Sequence, residues 1–404
     1  MLRVLQAWRP SCVGRVYLPR LFAPLIATLL AGCSGNFSLG DLLPSSSSGA
    51  PSQPSTSIGT GQVKAGLVLP LSGAGNAAIA AQSMRNAAEM ALAEFNSPDI
   101  QLLVKDDAGN AQSAQKAAQQ ALEEGAEIIL GPLFALTVTP VGQVARGRNV
   151  PVIAFSTDAN VATRGVYLLS FLPESDVDRI IGYAVGQGRK AFAALIPDNA
   201  YGTVVEAAFK QTIGRRGGRV VALQRYPTDK AQIQGSVRNV AQTAKDADAI
   251  FIPDGADAVP TVVQALNANG IDTKRAQLLG TGLWEDSQIF ANSQLEGGWY
   301  AGPDSTGFRN FSGRYRSRFG QDPVRTASLA YDAVALVAAL VKTQGKQRFA
   351  EDVLTNASGF TGIDGLFRFR PDGTNQRGLA VMRVGPSGGQ VISAPPRSFT
   401  GSGT

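Results

Sequence analysis

The chain has 404 residues, 44% of them hydrophobic, which is room for two domains and a large core without covalent staples. It contains no His and two Cys, which excludes His-ligated metal sites and any nucleophile activated by an imidazole. The formal charge of +6 overstates its basicity: Arg3, Arg9, Arg15 and Arg20 precede Cys33 and no acidic residue does, so the remainder carries +2 and nucleic acid is not an expected partner.

The four arginines form a basic region ahead of an apolar run at residues 21–30, followed by Leu30-Ala31-Gly32-Cys33. That order reads as a secretory signal over residues 1–32. The four-residue box resembles the lipobox of bacterial lipoproteins, which implies cleavage before Cys33 and lipid on its sulfur. The same resemblance implies the outer membrane, because Ser34 and not Asp follows the Cys. Residues 33–62 are rich in Ser, Gly and Pro and read as a tether that cannot bury enough apolar surface to fold. A coil of that length spans roughly 30 Å.

From residue 63 strands and helices alternate. Strands are expected at 63–70, 100–105, 127–130, 151–155 and 166–172, with helices at 77–95 and 110–124 and a third after Gly131-Pro132. The pattern restarts with a helix at 174–187. Strands follow at 190–196, 219–224, 249–253 and 277–279, interleaved with helices at 207–216, 230–245 and 258–267. Such alternation predicts an α/β fold built from two doubly wound parallel sheets with helices on both faces. Helices are expected next at 304–319, 325–343 and 346–356. Segments 365–370 and 378–384, around Pro371-Asp372-Gly373, read as a β-hairpin. The expected division is 63–172 with 302–356 as one lobe, 173–301 with 357–390 as the other, and a flexible tail at 391–404.

Catalytic motifs fail on inspection. Gly385-Pro386-Ser387-Gly388-Gly389 has the spacing of a nucleophile elbow, but it does not join strand to helix and no His exists to activate the serine. Asp106-Asp107 is an isolated carboxylate pair that reads as a helix cap or a solvated turn. No enzyme activity, cofactor or metal is expected.

In open α/β sheets, ligands bind beyond the carboxyl ends of the strands. The residues there are Ser72, Leu133, Phe134, Ser156, Thr157 and Asp158 in the first lobe, and Tyr201, Asp254, Trp284 and Glu285 in the second. Together they form the candidate lining of an inter-lobe cleft.

The body from 63 to 384 resembles the type I periplasmic-binding fold in its leucine/isoleucine/valine-binding branch. The resemblance rests on Val68-Leu69-Pro70-Leu71-Ser72-Gly73, Leu130-Gly131-Pro132, Val150-Pro151-Val152-Ile153, Pro197-Asp198-Asn199-Ala200-Tyr201-Gly202, Tyr331-Asp332-Ala333 and the run from Gly365 to Gly373. It implies two lobes joined by a three-strand hinge. It also implies that Ser156 and Thr157 match a loop that holds a ligand carboxylate, that Tyr201 covers the ligand, and that Asp254 or Glu285 meets its amino group. The hydroxyl that such relatives place after the third strand is missing, because Leu133-Phe134 stands there. Within the branch, Ile153-Ala154-Phe155-Ser156, Leu279-Gly280-Thr281-Gly282-Leu283-Trp284 and Phe367-Arg368-Phe369-Arg370-Pro371 resemble the penicillin-binding protein activator lipoproteins (LpoA/LppC/YraM-like). That resemblance implies a lipid-anchored periplasmic protein of a Gram-negative bacterium with a peptidoglycan synthase as partner. The alternative is a receptor for a small amino-acid-like ligand in ABC transport.

Overall fold

The computed structural model describes residues 57–95 and 98–399. Cys33, the signal segment and most of the expected tether lie outside the described residues.

The first lobe opens with β1 (Ser57–Ile58), β2 (Val63–Leu69), α1 (Asn76–Glu94), β3 (Ile100–Asp106), α2 (Ala111–Glu123) and β4 (Ala126–Leu130). It continues through α3 (Ala135–Arg146), β5 (Val152–Ala154) and β6 (Val166–Leu168). The sheet runs β1-β3-β2-β4-β5-β6. All pairings are parallel except that of β1 with β3. The two buried faces of β2 and β4 explain their near-continuous apolar runs. Asn110 caps α2 by accepting the Ser113 N–H at 2.9 Å. The cap is therefore Asn110 and not the Asp106-Asp107 pair. β1 falls inside the expected tether, and its two residues pair with Leu102 and Leu103.

The second lobe comprises α4 (Pro173–Gly186), β7 (Ala191–Pro197), α5 (Ala200–Arg216), β8 (Arg219–Tyr226), α6 (Lys230–Ala244) and β9 (Ala249–Phe251). α7 (Val259–Ala268), β10 (Gln277–Gly280), α8 (Ser287–Phe290) and β11 (Trp299–Gly302) follow. Glu174 and Asp176 occupy the first turn of α4, where carboxylates complement the helix dipole. Asn199 caps α5 and Gly217 closes it in the left-handed region.

The chain then returns to the first lobe. α9 (Ser305–Phe319) and α10 (Ala327–Thr343) pack there, with Leu329, Ala333 and Val337 in the same core as Leu67, Met84 and Ile128. After the short α11 (Glu351–Leu354), three strands form a small antiparallel sheet: β12 (Phe360–Gly362), β13 (Gly365–Phe369) and β14 (Asn375–Arg377). The last strands, β15 (Ala380–Gly385) and β16 (Gly388–Ser393), join the second-lobe sheet in the order β16-β15-β11-β10-β9-β7-β8.

Three sequence expectations are corrected here. Segment 365–370 does not pair with 378–384. β13 pairs with β14, while β15 pairs with β11 and β16. Segment 357–390 is consequently divided between the lobes, because Phe360, Phe367 and Phe369 pack into the first-lobe core, where Phe369 meets Tyr167 with ring centroids 5.4 Å apart. The tail is ordered through its first residues: β16 extends to Ser393, and Phe399 is buried beneath the Arg368 guanidinium. The chain crosses between lobes three times, at residues 169–172, 303–304 and 378–379.

Candidate functional site

The carboxyl ends of β2, β4 and β5 present the first-lobe candidates. Ser72 is exposed, and its N–H donates to Asp106 Oδ1 at 3.2 Å. Leu133 and Phe134 are half-buried between β4 and α3, and the Phe134 carbonyl accepts the Thr137 hydroxyl at 2.9 Å. Ser156 is buried and its Oγ accepts the Asp158 N–H at 3.1 Å. Asp158 in turn accepts the Asn160 N–H at 2.9 Å. These side chains fold back on their own loop, as short polar groups do beyond a strand. Thr157 is exposed.

On the second lobe, Tyr201 Oη lies 3.0 Å from Thr281 Oγ1. Burial pushes the Tyr201 phenol up, and the fields of Asp176, Asp254 and Glu174 push the same way. Tyr226 donates its hydroxyl to Asp254 Oδ2 at 2.7 Å, and Asp254 Oδ1 accepts the Gly255 N–H. Asp176 accepts the Gly282 N–H at 2.9 Å. It is half-buried, and desolvation raises its carboxyl to about 7 against the opposing pull of that hydrogen bond, Arg377 and Arg325. Glu174 is also raised, first by burial and lastly by Asp158 of the opposite lobe. The structure thus brings Tyr201, Asp254, Glu174 and Asp158 into one electrostatic neighbourhood and adds Thr281, Tyr226 and Asp176, which sequence reasoning missed.

Two candidates leave the site. Trp284 is fully buried and donates its indole N–H to the Ile252 carbonyl at 3.1 Å. It belongs to the second-lobe core, and Gly280 is required beneath it, since a Cβ there would lie 2.2 Å from the indole ring. Glu285 accepts the Tyr300 hydroxyl beside the β15–β16 hairpin and is committed there.

The crossovers carry a buried polar cluster. Arg377, 5% exposed, donates from Nε to the Ser170 carbonyl at 2.8 Å. Its guanidinium lies 4.6 Å from the Phe171 centroid, and that of Arg325 lies 4.5 Å from the same ring. Arg325 forms a two-pronged pair with Asp364, at 2.5 and 3.0 Å, and Ser328 donates to the same carboxylate at 2.7 Å. Asp332 accepts the Ile363 N–H at 2.8 Å, and burial raises its carboxyl to about 7, with Asp364 adding to the rise. Among the described residues no three His, Cys, Asp or Glu side chains are grouped to hold a metal ion.

Beyond the second-lobe strand ends stand the hydroxyls of Tyr201, Thr281 and Tyr226 with the carboxylates of Asp176 and Asp254, and beyond those of the first lobe the apolar Leu133 and Phe134 stand beside Ser156, Thr157 and Asp158.

Comparison with known proteins agrees with this geometry. The family model described as "Periplasmic binding protein" matches residues 62–390, more than half of the chain. The chain is 23% identical over 240 residues to Leu/Ile/Val-binding protein homolog 6 of Brucella melitensis, covering 56% of this chain and 60% of that protein. It is 27% identical over 134 residues to the penicillin-binding protein activator LpoA of Vibrio cholerae, covering 32% and 22% respectively. The chain therefore spans less than two thirds of either relative. Among solved structures, a proposed branched-chain amino acid ABC transporter from Rhodospirillum rubrum superposes with a TM-score of 0.73 at 20% identity, over 82% of this chain and 99% of that one. At that identity the likeness speaks for the fold.

Proposed function

The chain belongs to the periplasmic binding protein family, and from that premise we propose that it is a non-enzymatic regulator that acts on a peptidoglycan synthase through its surface. In this reading Cys33 anchors it by lipid to the outer membrane of a Gram-negative bacterium, and residues 34–56 hold the body in the periplasm. What supports the reading is that the half-buried Leu133 and Phe134 follow β4, where the resemblance implies a hydroxyl donor for a captured carboxylate. A charged ligand group that loses a hydrogen-bond donor is held less tightly by about 1.5–3 kcal/mol. Asp176, Asp254 and Glu174 all act on Tyr201, and Asp158 acts on Glu174, acidic surroundings that oppose an anionic ligand. The partial match to the LpoA protein supports a wall-synthesis partner.

The experiment is affinity capture of the full chain from detergent-solubilised envelope. Recovery of a peptidoglycan synthase that survives a salt wash supports the proposal, and its repeated absence counts against it. A second reading, a receptor for amino-acid ABC transport, is favoured by the Tyr201–Thr281 hydroxyl pair beyond the second-lobe strand ends and by the exposed Thr157 beyond β5. A ligand that binds only the folded state must raise its melting temperature. A shift with millimolar leucine, isoleucine or valine would favour the receptor.

A further inference from the structure

A cavity of about 540 Å3 lies at the amino-terminal ends of β5 and β6, at the opposite end of the first-lobe sheet from the cleft. Its volume is that of a small-molecule pocket. Val150, Pro151, Val166 and Phe349 make its floor, and Arg146, Arg164, Tyr167 and Glu351 stand around it.

The polar groups leave donors free. Arg146 ends α3 and donates from Nη2 to the Thr163 hydroxyl at 3.2 Å; among the described residues it has no acidic partner. Arg164 donates from Nε and Nη2 to Glu351 Oε2, at 2.8 and 2.6 Å, which leaves Nη1 unused. Tyr167 is 1% exposed, and its phenol oxygen faces the Gly165 N–H within the fields of Glu351 and Arg164. Its hydroxyl is not among the buried polar atoms left without a partner, and the residue lines the cavity. A cation in the last turn of α3 is accounted for by the helix dipole. The dipole does not account for a tyrosine and an apolar floor lining the same cavity. Two guanidinium groups against one carboxylate leave one positive charge, which suits a monoanion.

We propose that this cavity is a second binding site, distinct from the cleft, for a small carboxylate-bearing molecule. Its anion sits between Arg146 and Arg164 with the Tyr167 hydroxyl as a third donor, and its apolar body rests on Pro151 and Phe349. Planar guanidinium groups are suited to this recognition, because each can meet a carboxylate with two parallel N–H donors.

The test is titration of the full chain with 4-fluorobenzoate, followed by fluorine NMR, alongside the neutral isostere 4-fluorobenzamide. Arg146→Gln and Arg164→Gln should each weaken 4-fluorobenzoate binding by about fivefold, because each removes a charge-assisted contact at a partly exposed site. Tyr167→Phe should weaken it by about threefold through loss of one hydroxyl donor. Tyr201→Phe, on the cleft, should leave it unchanged. Thermal melts confirm that the exposed arginine variants fold. Absence of binding up to about 10 mM overturns the proposal. So do equal affinities for acid and amide, or binding that is lost in Tyr201→Phe and kept in Arg146→Gln, which would put the probe in the cleft.

Discussion

Asp176, on the first turn of α4, accepts the backbone N–H of Gly282 at 2.9 Å. The contact ties the entry of the second lobe to the loop that follows β10. It also holds a carboxyl whose charged form is poorly solvated, raised from 3.8 to about 7.

That shift gives a pH dependence with a definite sign. The folded chain keeps a proton on Asp176 between pH 3.8 and about 7 where the unfolded chain has lost it, so stability falls as pH rises through that window. Asp332, at about 7, and Asp107, at about 6, act in the same direction. Asp176→Asn keeps an acceptor for Gly282 and removes the titration. Relative to the parent, it should gain about 1 kcal/mol between pH 5 and pH 8, a figure held low because the side chain is only half-buried. Thermal melts of both proteins at the two pH values check it. An unchanged difference in melting temperature would mean that Asp176 titrates normally.

The Arg325–Asp364 pair should be the most costly polar contact near the crossovers to break. Asp364 is fully buried and receives Arg325 and Ser328. Asp364→Ala leaves the Arg325 guanidinium without its carboxylate, while Ser328 keeps the Arg325 carbonyl as acceptor, and should destabilise the chain by about 3 kcal/mol. The lower end of the usual range applies because Arg325 is partly exposed. Urea unfolding measures this, and a loss below about 1 kcal/mol would mean that water replaces the carboxylate without penalty.

Trp284 makes a further prediction, because the sequence places it at a strand end where a ligand residue would also stand. The structure buries it wholly in the second-lobe core. Trp284→Ala should cost about 3–5 kcal/mol through the cavity it leaves. Gly280→Ala should destabilise by about 1–3 kcal/mol or more, since its Cβ would overlap the indole. If Trp284→Ala melted like the parent, the residue would belong to the cleft wall.

Trp284 marks the boundary of what could be read in advance. The alternation of strand and helix that builds both lobes was legible, because parallel strands buried on both faces carry apolar runs with turn residues at their ends. β1 has two residues, and β16 opens on two glycines and is partly exposed. Neither carries such a signal. Among the candidate residues, Tyr201 and Asp254 were named from their strand ends. Thr281, Asp176 and the crossover cluster were not. Phe171 and Arg377 meet only after the chain has returned from the second lobe to the first, and residues 365–377, with Phe and Arg alternating at 367–370, read as an ordinary amphipathic strand. Arginine is seldom buried, so nothing local announces that Arg377 is.

The disagreement between the two loops of the first-lobe wall gives the last prediction. Thr157 offers an exposed hydroxyl, while Leu133 and Phe134 offer none. If Phe134 is what keeps the cleft from holding an amino-acid carboxylate, Phe134→Ser should restore one donor and relieve the crowding together. The gain from one hydrogen bond to a charged group is about 1.5–3 kcal/mol, a tenfold or greater increase in affinity. Leucine at millimolar concentration should then raise the melting temperature of Phe134→Ser while leaving the parent unmoved. A parent that already responds to leucine would transfer the weight of the argument to Thr157, Tyr201 and Thr281, and with it to solute capture. A variant that stays silent would mean that the acidic surroundings of Tyr201, to which Asp176 and Asp254 contribute, are the stronger barrier.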